Sequence, residues 1–329
     1  MIQENTTKNQ HFIAQFEQRL NANNPNACHK NKRIYCFNIV DRNELSVKLS
    51  NPKGVKVENN LAIDDLYSFD ILNDKYRKNF EEIFKVYEKN ADSAITNIVS
   101  EFKDKSNKYQ KSLRCIYGYK ILNSLRNPYL IKKTLETYSL TEDLYPRNPE
   151  LMKNCLNILS KIKPQSPYLC KLLNISDDDY RKWLKLIYLL LSYDPHDGSS
   201  KFDGYIHRHF DAPDYVCIAI LYHFTDNSSD KVVLLQDNAI IEIENKRKNL
   251  QSTFFNVSSK MFLSVSFNHI SNVISEIGLS KETPIKELHH FLYKENDFEW
   301  LSIFNRRCIK NAKNSVYCAS NVAYGIKII

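Results

Sequence analysis

Glycine is scarce in this chain, 6 among 329 residues, and neither GxGxxG nor GxxxxGK[ST] occurs. A dinucleotide or P-loop phosphate site needs several glycines close together, so the scarcity weighs against both. None of the 8 cysteines forms a CxxC pair, and most sit among apolar neighbours. That usage fits free, buried thiols in a reducing cytoplasm. No apolar run is long enough to cross a membrane; the longest-looking one, 185–191, reads as a buried helix segment. No signal peptide, internal repeat or low-complexity linker is seen. The expectation is a cytoplasmic protein without a membrane partner.

What is present is a dense core composition: 43% hydrophobic, with 20 tyrosines and 17 phenylalanines. The length suits one large core or two domains. Net charge is +8, from 46 basic and 38 acidic residues, which is compatible with a polyanionic partner. Between Lys103 and Lys133 lie nine basic residues with Asp104 as the lone acid, and Tyr109, Tyr117, Tyr119 and Tyr129 are interleaved. A basic, tyrosine-bearing helical surface can contact phosphates and stack bases. Lys105, Lys108, Lys111 and Arg114 are therefore candidate contacts for RNA or DNA. Equally, Tyr117 and Ile121 belong to a core and the lysines keep its outer face solvated.

Periodicity places strands at the two ends and helices between. Lys32–Val40 and Leu45–Leu49 read as strands. Helices are expected at Asp74–Lys89, continued by or broken before Ala91–Phe102, at Gln110–Leu125, where Pro128 stops the helix or restarts the next, at Leu151–Ile162 and at Asp177–Tyr193, the last with Ser176 as N-cap. After Asp194 the pattern turns to β-prone runs at Tyr215–Phe224, Lys231–Gln236, Ala239–Glu244 and Lys260–Phe267. Helices are expected again at Phe267–Glu276, Pro284–Tyr293 and Asp297–Cys308, before a strand at Ser315–Ala319. The fold class is α+β. One domain over 1–329 would have a sheet from the N- and C-terminal segments and a helical layer at 73–193. Two separate domains are the alternative.

The first polar constellation is Asn9–Leu20. As one helix from Gln10, it places His11, Gln15 and Gln18 or Arg19 on one face, beside an apolar face of Phe12, Phe16 and Leu20. Such a face either holds polar groups in a pocket or is the solvated side of an ordinary helix. Asp237-Asn238 follows a β-prone run, where a strand end presents a rigid pair or the side chains cap a turn. A third group joins His196 and Asp197 to His207, His209 and Asp211. On a strand, His207 and His209 would face one way and offer ligands to zinc or manganese; a polar loop between Pro195 and Pro213 is the alternative. Glu242 and Glu244 beside Lys246 are only loosely nuclease-like. His289-His290 near Glu287 suits a helix surface. Cys308 beside Arg306 and Arg307 is either a core cysteine or a thiol of lowered pKa.

Five stretches resemble the bacterial domain-of-unknown-function family 4238. They are Asn9–Gln15, Leu125-Arg126-Asn127-Pro128, Leu235–Ala239, Phe255–Ser258, and Asn305 followed by Val316-Tyr317. The chain departs from the pattern at Ala14, where proline is usual, at Asn127 for threonine, and at Gln236 and Ala239 for serine and proline. The resemblance implies that His11, Gln15, Arg126, Asp237, Asn238 and Asn305 belong to one site. It also implies an accessory-genome product linked to phage defence.

The function these readings lead to is a defence or toxin-like effector that hydrolyses phosphodiester bonds in nucleic acid. His11 would be the general acid/base, Asp237 its orienter or the holder of a divalent metal, Gln15 and Asn238 the positioning groups, and Arg126 the phosphate clamp. The alternative is a non-catalytic sensor or scaffold, binding nucleic acid or a protein partner in a defence system, with these groups in a buried polar network.

Overall fold

The computed structural model describes residues 7–73, 76–104, 109–160, 163–193, 198–245, 250–272 and 290–329. The fold is α+β, with strands from both ends in mixed sheets and a helix-rich middle. In chain order the first elements are β1 (Asn9–His11), α1 (Gln15–Leu20), β2 (Arg33–Asp41), β3 (Ser46–Leu49), β4 (Val55–Lys56), β5 (Ala62–Asp64), β6 (Asp70–Asn73) and β7 (Tyr76–Lys78). The helical block follows: α2 (Glu81–Lys103), α3 (Tyr109–Leu125), α4 (Ile131–Thr137), α5 (Pro149–Ser160), α6 (Ser166–Leu173), α7 (Asp177–Leu191) and α8 (Lys201–Asp211). The last third holds β8 (Tyr215–His223), β9 (Leu235–Gln236), β10 (Ile241–Asn245), β11 (Leu250–Ser258), β12 (Met261–His269), β13 (His290–Glu295), α9 (Phe298–Asn311), β14 (Ser315–Cys318) and β15 (Lys327–Ile328).

Two sheets carry the ends. One runs β15-β3-β2-β14-β9, with β4 also on β2; the other runs β10-β11-β12-β8-β13. The N-terminal strand and the segment at Leu235–Gln236 thus share a sheet, but through β14, which pairs with both. The neighbouring run Ile241–Asn245 lies instead on the edge of the second sheet, paired with β11. The long antiparallel pairings β11–β12 and β12–β8 have alternating apolar residues, among them Leu263, Val265 and Leu221, which supply one face to the core. A second core lies between the two sheets and α9, around Phe37, Phe262, Phe304 and Val316.

The helical block packs on α3, which is buried around most of its circumference, as a central helix must be. Helix α7 begins at a full capping box: Ser176 Oγ accepts from Asp179 N (3.0 Å), and the Asp179 carboxylate accepts from Ser176 N (3.2 Å). Its Trp183 is fully buried and donates its indole N–H to Leu125 O (2.8 Å), tying α7 to the end of α3.

Several expected elements differ. The first helix starts at Gln15, because β1 pairs with β5 and holds His11 opposite Ala62. The helix expected from 74, continuous through 91–102 or broken before it, is one helix but starts at Glu81, preceded by the β6–β7 hairpin. Helix α8 replaces the strand expected for His207 and His209. Ser200 caps it by accepting from Asp203 N (2.9 Å), and Phe202, Ile206 and Phe210 bury its inner face at 3.6-residue spacing. Residues two positions apart on a helix lie about 200° apart around its axis, so the imidazoles of His207 and His209 do not face one way. Residues 267–269 belong to β12 and 290–293 to β13, where helices were expected; 273–289 lie outside the described residues. Strand β11 and helix α6 had no counterpart in the sequence.

Candidate active site

Phe12, Ile13 and Ala14 are buried at the entry to α1 and anchor it, which leaves Gln15 and Arg19 together on its half-buried side. Arg19 Nη1 donates to Gln15 Oε1 (3.1 Å), an i,i+4 contact on the predicted face. Gln18 turns inward instead. Its amide N–H donates to Ile13 O (2.8 Å) and Asn60 O (3.0 Å), and its Oε1 accepts from Asn60 (2.9 Å), so it splices α1 to the following loop.

Beneath α1 lies a buried ionic network. Glu17 accepts from Tyr119 Oη (2.7 Å), Asn123 Nδ2 (2.8 Å) and Lys120 Nζ, all from α3. Both charged side chains are 1% exposed. Burial drives the Lys120 pKa down and Glu17 opposes the fall. Asn123 passes the network on: its Oδ1 accepts from Arg126 Nε (3.1 Å) and Nη2 (2.8 Å). Arg126 Nη1 donates to Glu88 Oε1 of α2 (2.8 Å), and its guanidinium lies over the Phe84 ring at 4.9 Å. Arg126 is 1% exposed on its side chain, Glu88 25%, so the pair spans from core to surface. The Arg126 carbonyl also accepts from the buried Tyr67 hydroxyl (2.7 Å).

Two groups beside this pair stand out. His11 Nε2 and Glu81 Oε1 are both buried polar atoms without a hydrogen-bond partner. Burial lowers the His11 pKa against the raising effect of the Val57 and Glu58 backbone; the Arg126 charge adds to the fall, and Glu88 opposes it. Burial pushes the Glu81 carboxyl up to about 7, with Arg126 opposing and Glu88 reinforcing. Both groups therefore feel the same Arg126–Glu88 pair. A neutral imidazole and a carboxyl that titrates near neutrality are the protonation states an acid–base pair needs. His11, Gln15, Arg19, Glu81 and Glu88 are each part-exposed, so the cluster reaches solvent along the α1–α2 edge.

The structure brings His11, Gln15 and Arg126 into this neighbourhood and puts Asp237, Asn238 and Asn305 to other uses. Asp237 Oδ1 accepts from Lys313 N (2.6 Å), and Oδ2 from Asn314 N (2.7 Å) and Ser315 N (2.9 Å), which anchors the chain entering β14. Burial raises its pKa against those three bonds. Asn305 accepts from Leu234 N (3.0 Å) and donates to Val232 O and Tyr324 O (3.0 Å each), bracing α9 to two loops. Asn238 donates to Asn311 O. The two regions are linked in the motif after Arg126: Asn127 Nδ2 donates to Asp237 O (2.6 Å).

The basic stretch is largely matched by acids from elsewhere. Lys103 pairs with Glu295 (3.5 Å), Arg114 with Asp211, Lys120 with Glu17, Arg126 with Glu88 and Lys133 with Glu242. Lys120, expected on a solvated face, is buried. Lys111 is exposed on the rim of a 520 Å³ groove between α2, α3 and α8, which Arg114 and His207 also line. Lys105 and Lys108 lie outside the described residues, as do His196, Asp197, Lys246, His289 and Glu287. Arg114 bonds Asp211 and approaches His207 Nδ1 (3.4 Å), while His209 packs between Tyr205 and Phe267. No group of three metal-binding side chains exists among the described residues. Cys308 is fully buried, and burial raises its thiol pKa, so it is a core cysteine despite Arg306 and Arg307.

Glu17, Glu81 and Glu88 were missed in the sequence. The available signal was Glu81, Phe84 and Glu88 at i, i+3 and i+7, one face of one helix. That spacing by itself is indistinguishable from a solvated surface. No family model, curated protein or solved structure matches the chain, so the resemblance noted above stands on its quoted residues alone.

Proposed function

We propose that the protein is a hydrolytic effector acting on nucleic acid or its nucleotides, with His11 and Glu81 as its acid–base pair. The observation that carries this is a shared setting: burial and the Arg126–Glu88 ion pair act on both His11 and Glu81, and each keeps one side-chain atom with no protein partner. In phosphodiester hydrolysis, His11 Nε2 takes the proton of the attacking group and Glu81 supplies one to the leaving oxygen. Gln15 and Arg19 hold the phosphate at the solvent edge. Arg126, fully engaged with Glu88 and Asn123, orders the site from behind. The resemblance to a defence-linked family supports a toxic or antiviral setting for such chemistry.

The test uses purified protein with labelled RNA and single-stranded DNA, in chelator and in Mg²⁺ or Mn²⁺. His11→Ala should lower cleavage by about 100-fold or more while the unfolding midpoint barely moves. No cleavage under any condition, or equal cleavage by the variant, overturns the reading. A non-catalytic scaffold is the second reading, favoured by the three backbone bonds to Asp237 and the three made by Asn305. It predicts binding of nucleic acid or a defence-system protein without turnover.

A further inference from the structure

We infer that the groove between α7 and the loop joining α4 to α5 is a docking surface for a protein partner, and that the segment it takes is an amphipathic helix with a basic face. The groove is separate from the proposed active site, and the inference stands without the hydrolytic reading.

The groove has a volume of 460 Å³. Leu135 of α4, Leu159 of α5, Leu186 and Leu189 of α7, and the loop residues Tyr138 and Tyr145 supply its apolar lining. Two leucines stand beside it in water. Leu140, 94% exposed, lies between the lining residues Ser139 and Thr141. Leu144, also exposed, lies between the lining residues Asp143 and Tyr145. The loop that presents them is anchored. Lys185 of α7 is buried, donates from Nζ to Glu142 O (2.6 Å) and sits 3.7 Å from the centre of the Tyr145 ring. Single exposed leucines are ordinary, but two of them flanking an open apolar groove form the kind of patch that a partner covers.

Charge selects the occupant. Glu142, Asp143, Asp178 and Asp179 line the groove, against Lys182 and Lys185. Lys182 pairs with both Glu142 and Asp178, and each of those carboxylates is more exposed than the lysine between them. Asp143 is exposed and outside both pairs. In a chain of net charge +8 this is an acidic face. It repels the phosphates of nucleic acid and of an anionic lipid surface. It also disfavours a second copy, because a two-fold interface sets the same patch against itself and brings these acids face to face. A helix with apolar residues at i, i+3, i+4 and i+7 and lysine or arginine along its flanks matches both the lining and the rim.

The experiment titrates a fluorescent synthetic helix of leucine and lysine, amphipathic and about 14 residues long, with the full chain and reads anisotropy. A second peptide carries glutamate in place of lysine. The lysine peptide should bind, more weakly as salt rises, and the glutamate peptide should not, although net charge alone favours the reverse. Leu140→Asp should weaken binding about 10-fold or more and leave the unfolding midpoint in place, since Leu140 faces solvent. Asp143→Lys should weaken binding and flatten its salt dependence. Leu292→Asp, at an exposed leucine of β13, should change neither affinity nor salt dependence. Equal binding of the two peptides, no binding of the lysine peptide at about 1 mM, or unchanged binding in Leu140→Asp overturns the inference. Sedimentation tests the other occupant: a dimer of the full chain that Leu140→Asp dissociates gives the face to a second copy and overturns the inference as well.

Discussion

Two polar regions of this protein look alike in sequence and differ in how completely their polar atoms are matched. Around Asp237 and Asn305, side chains bond to backbone groups: Asp237 receives three N–H groups and Asn305 accepts one and donates two. Around Arg126, side chains bond to side chains, and the chain of contacts from Lys120 through Glu17, Asn123 and Arg126 ends at Glu88. Beside that end, His11 Nε2 and Glu81 Oε1 have no partner. A polar group that ties off backbone is replacing a missing ladder or cap. A buried polar atom with no protein partner is open to water or to a ligand. The contrast has a blemish: Gln236 Oε1 and Asn238 Oδ1 are also unpaired, within the otherwise matched region.

The largest effect that separates the two regions is expected at the ionic network. Glu17→Ala leaves the Lys120 ammonium buried without its carboxylate and should cost about 3–5 kcal/mol in urea unfolding. Replacing both residues with apolar ones of like volume should recover most of that loss; failure to recover would mean the pair contributes beyond mutual neutralisation. Next comes Asp237→Ala, which strands three N–H groups and should cost about 2–4 kcal/mol. A loss under about 1 kcal/mol would show that water satisfies those groups and that the anchoring role is wrong.

Glu81 gives a smaller effect with an opposite sign. Its carboxyl titrates near 7 when folded, against 4.5 for the unreacted side chain, so the native state holds the proton more tightly. Stability from this group is full below about pH 4.5 and is lost as pH rises through 7. Glu81→Gln should therefore be more stable than the parent at pH 8, by up to about 3 kcal/mol, with the gap under about 1 kcal/mol at pH 5 and gone below about pH 4. A gap independent of pH would place Glu81 in solvent. His11 runs the other way: its lowered pKa means stability is present above about 6.5 and is lost as pH falls through its folded pKa. The smallest shift is that of His11→Gln, within about 1 kcal/mol at pH 8, with reduced acid sensitivity in the thermal unfolding midpoint and, on the proposed function, loss of turnover.

Much of the scaffold was legible. The alternation at Arg33–Asp41 and Met261–His269, the capped helix after Ser176 and the buried run along α3 all follow from local spacing and composition. Helix α8 was missed because His207, Arg208 and His209 masked the Phe202–Ile206–Phe210 stripe that buries it. His11, Gln15 and Arg126 were grouped with Asp237, Asn238 and Asn305 by the resemblance alone, and the roles of Asp237 and Asn305 were not legible, since a carboxylate that binds backbone and one that orients an imidazole have the same local sequence.

By itself the sequence determined the α+β class, the order of strand and helix regions and the apolar faces, because those depend on neighbours within a few turns of chain. Tertiary structure alone decided which charges are matched. Lys120 meets Glu17 across 103 residues, Arg126 meets Glu88 across 38 and Lys133 meets Glu242 across 109, so a stretch that reads as a basic surface buries two of its charges and pairs others with distant acids. Electrostatic pairing and desolvation depend on distance in space and on what excludes water, and neither is written in the spacing of residues along the chain.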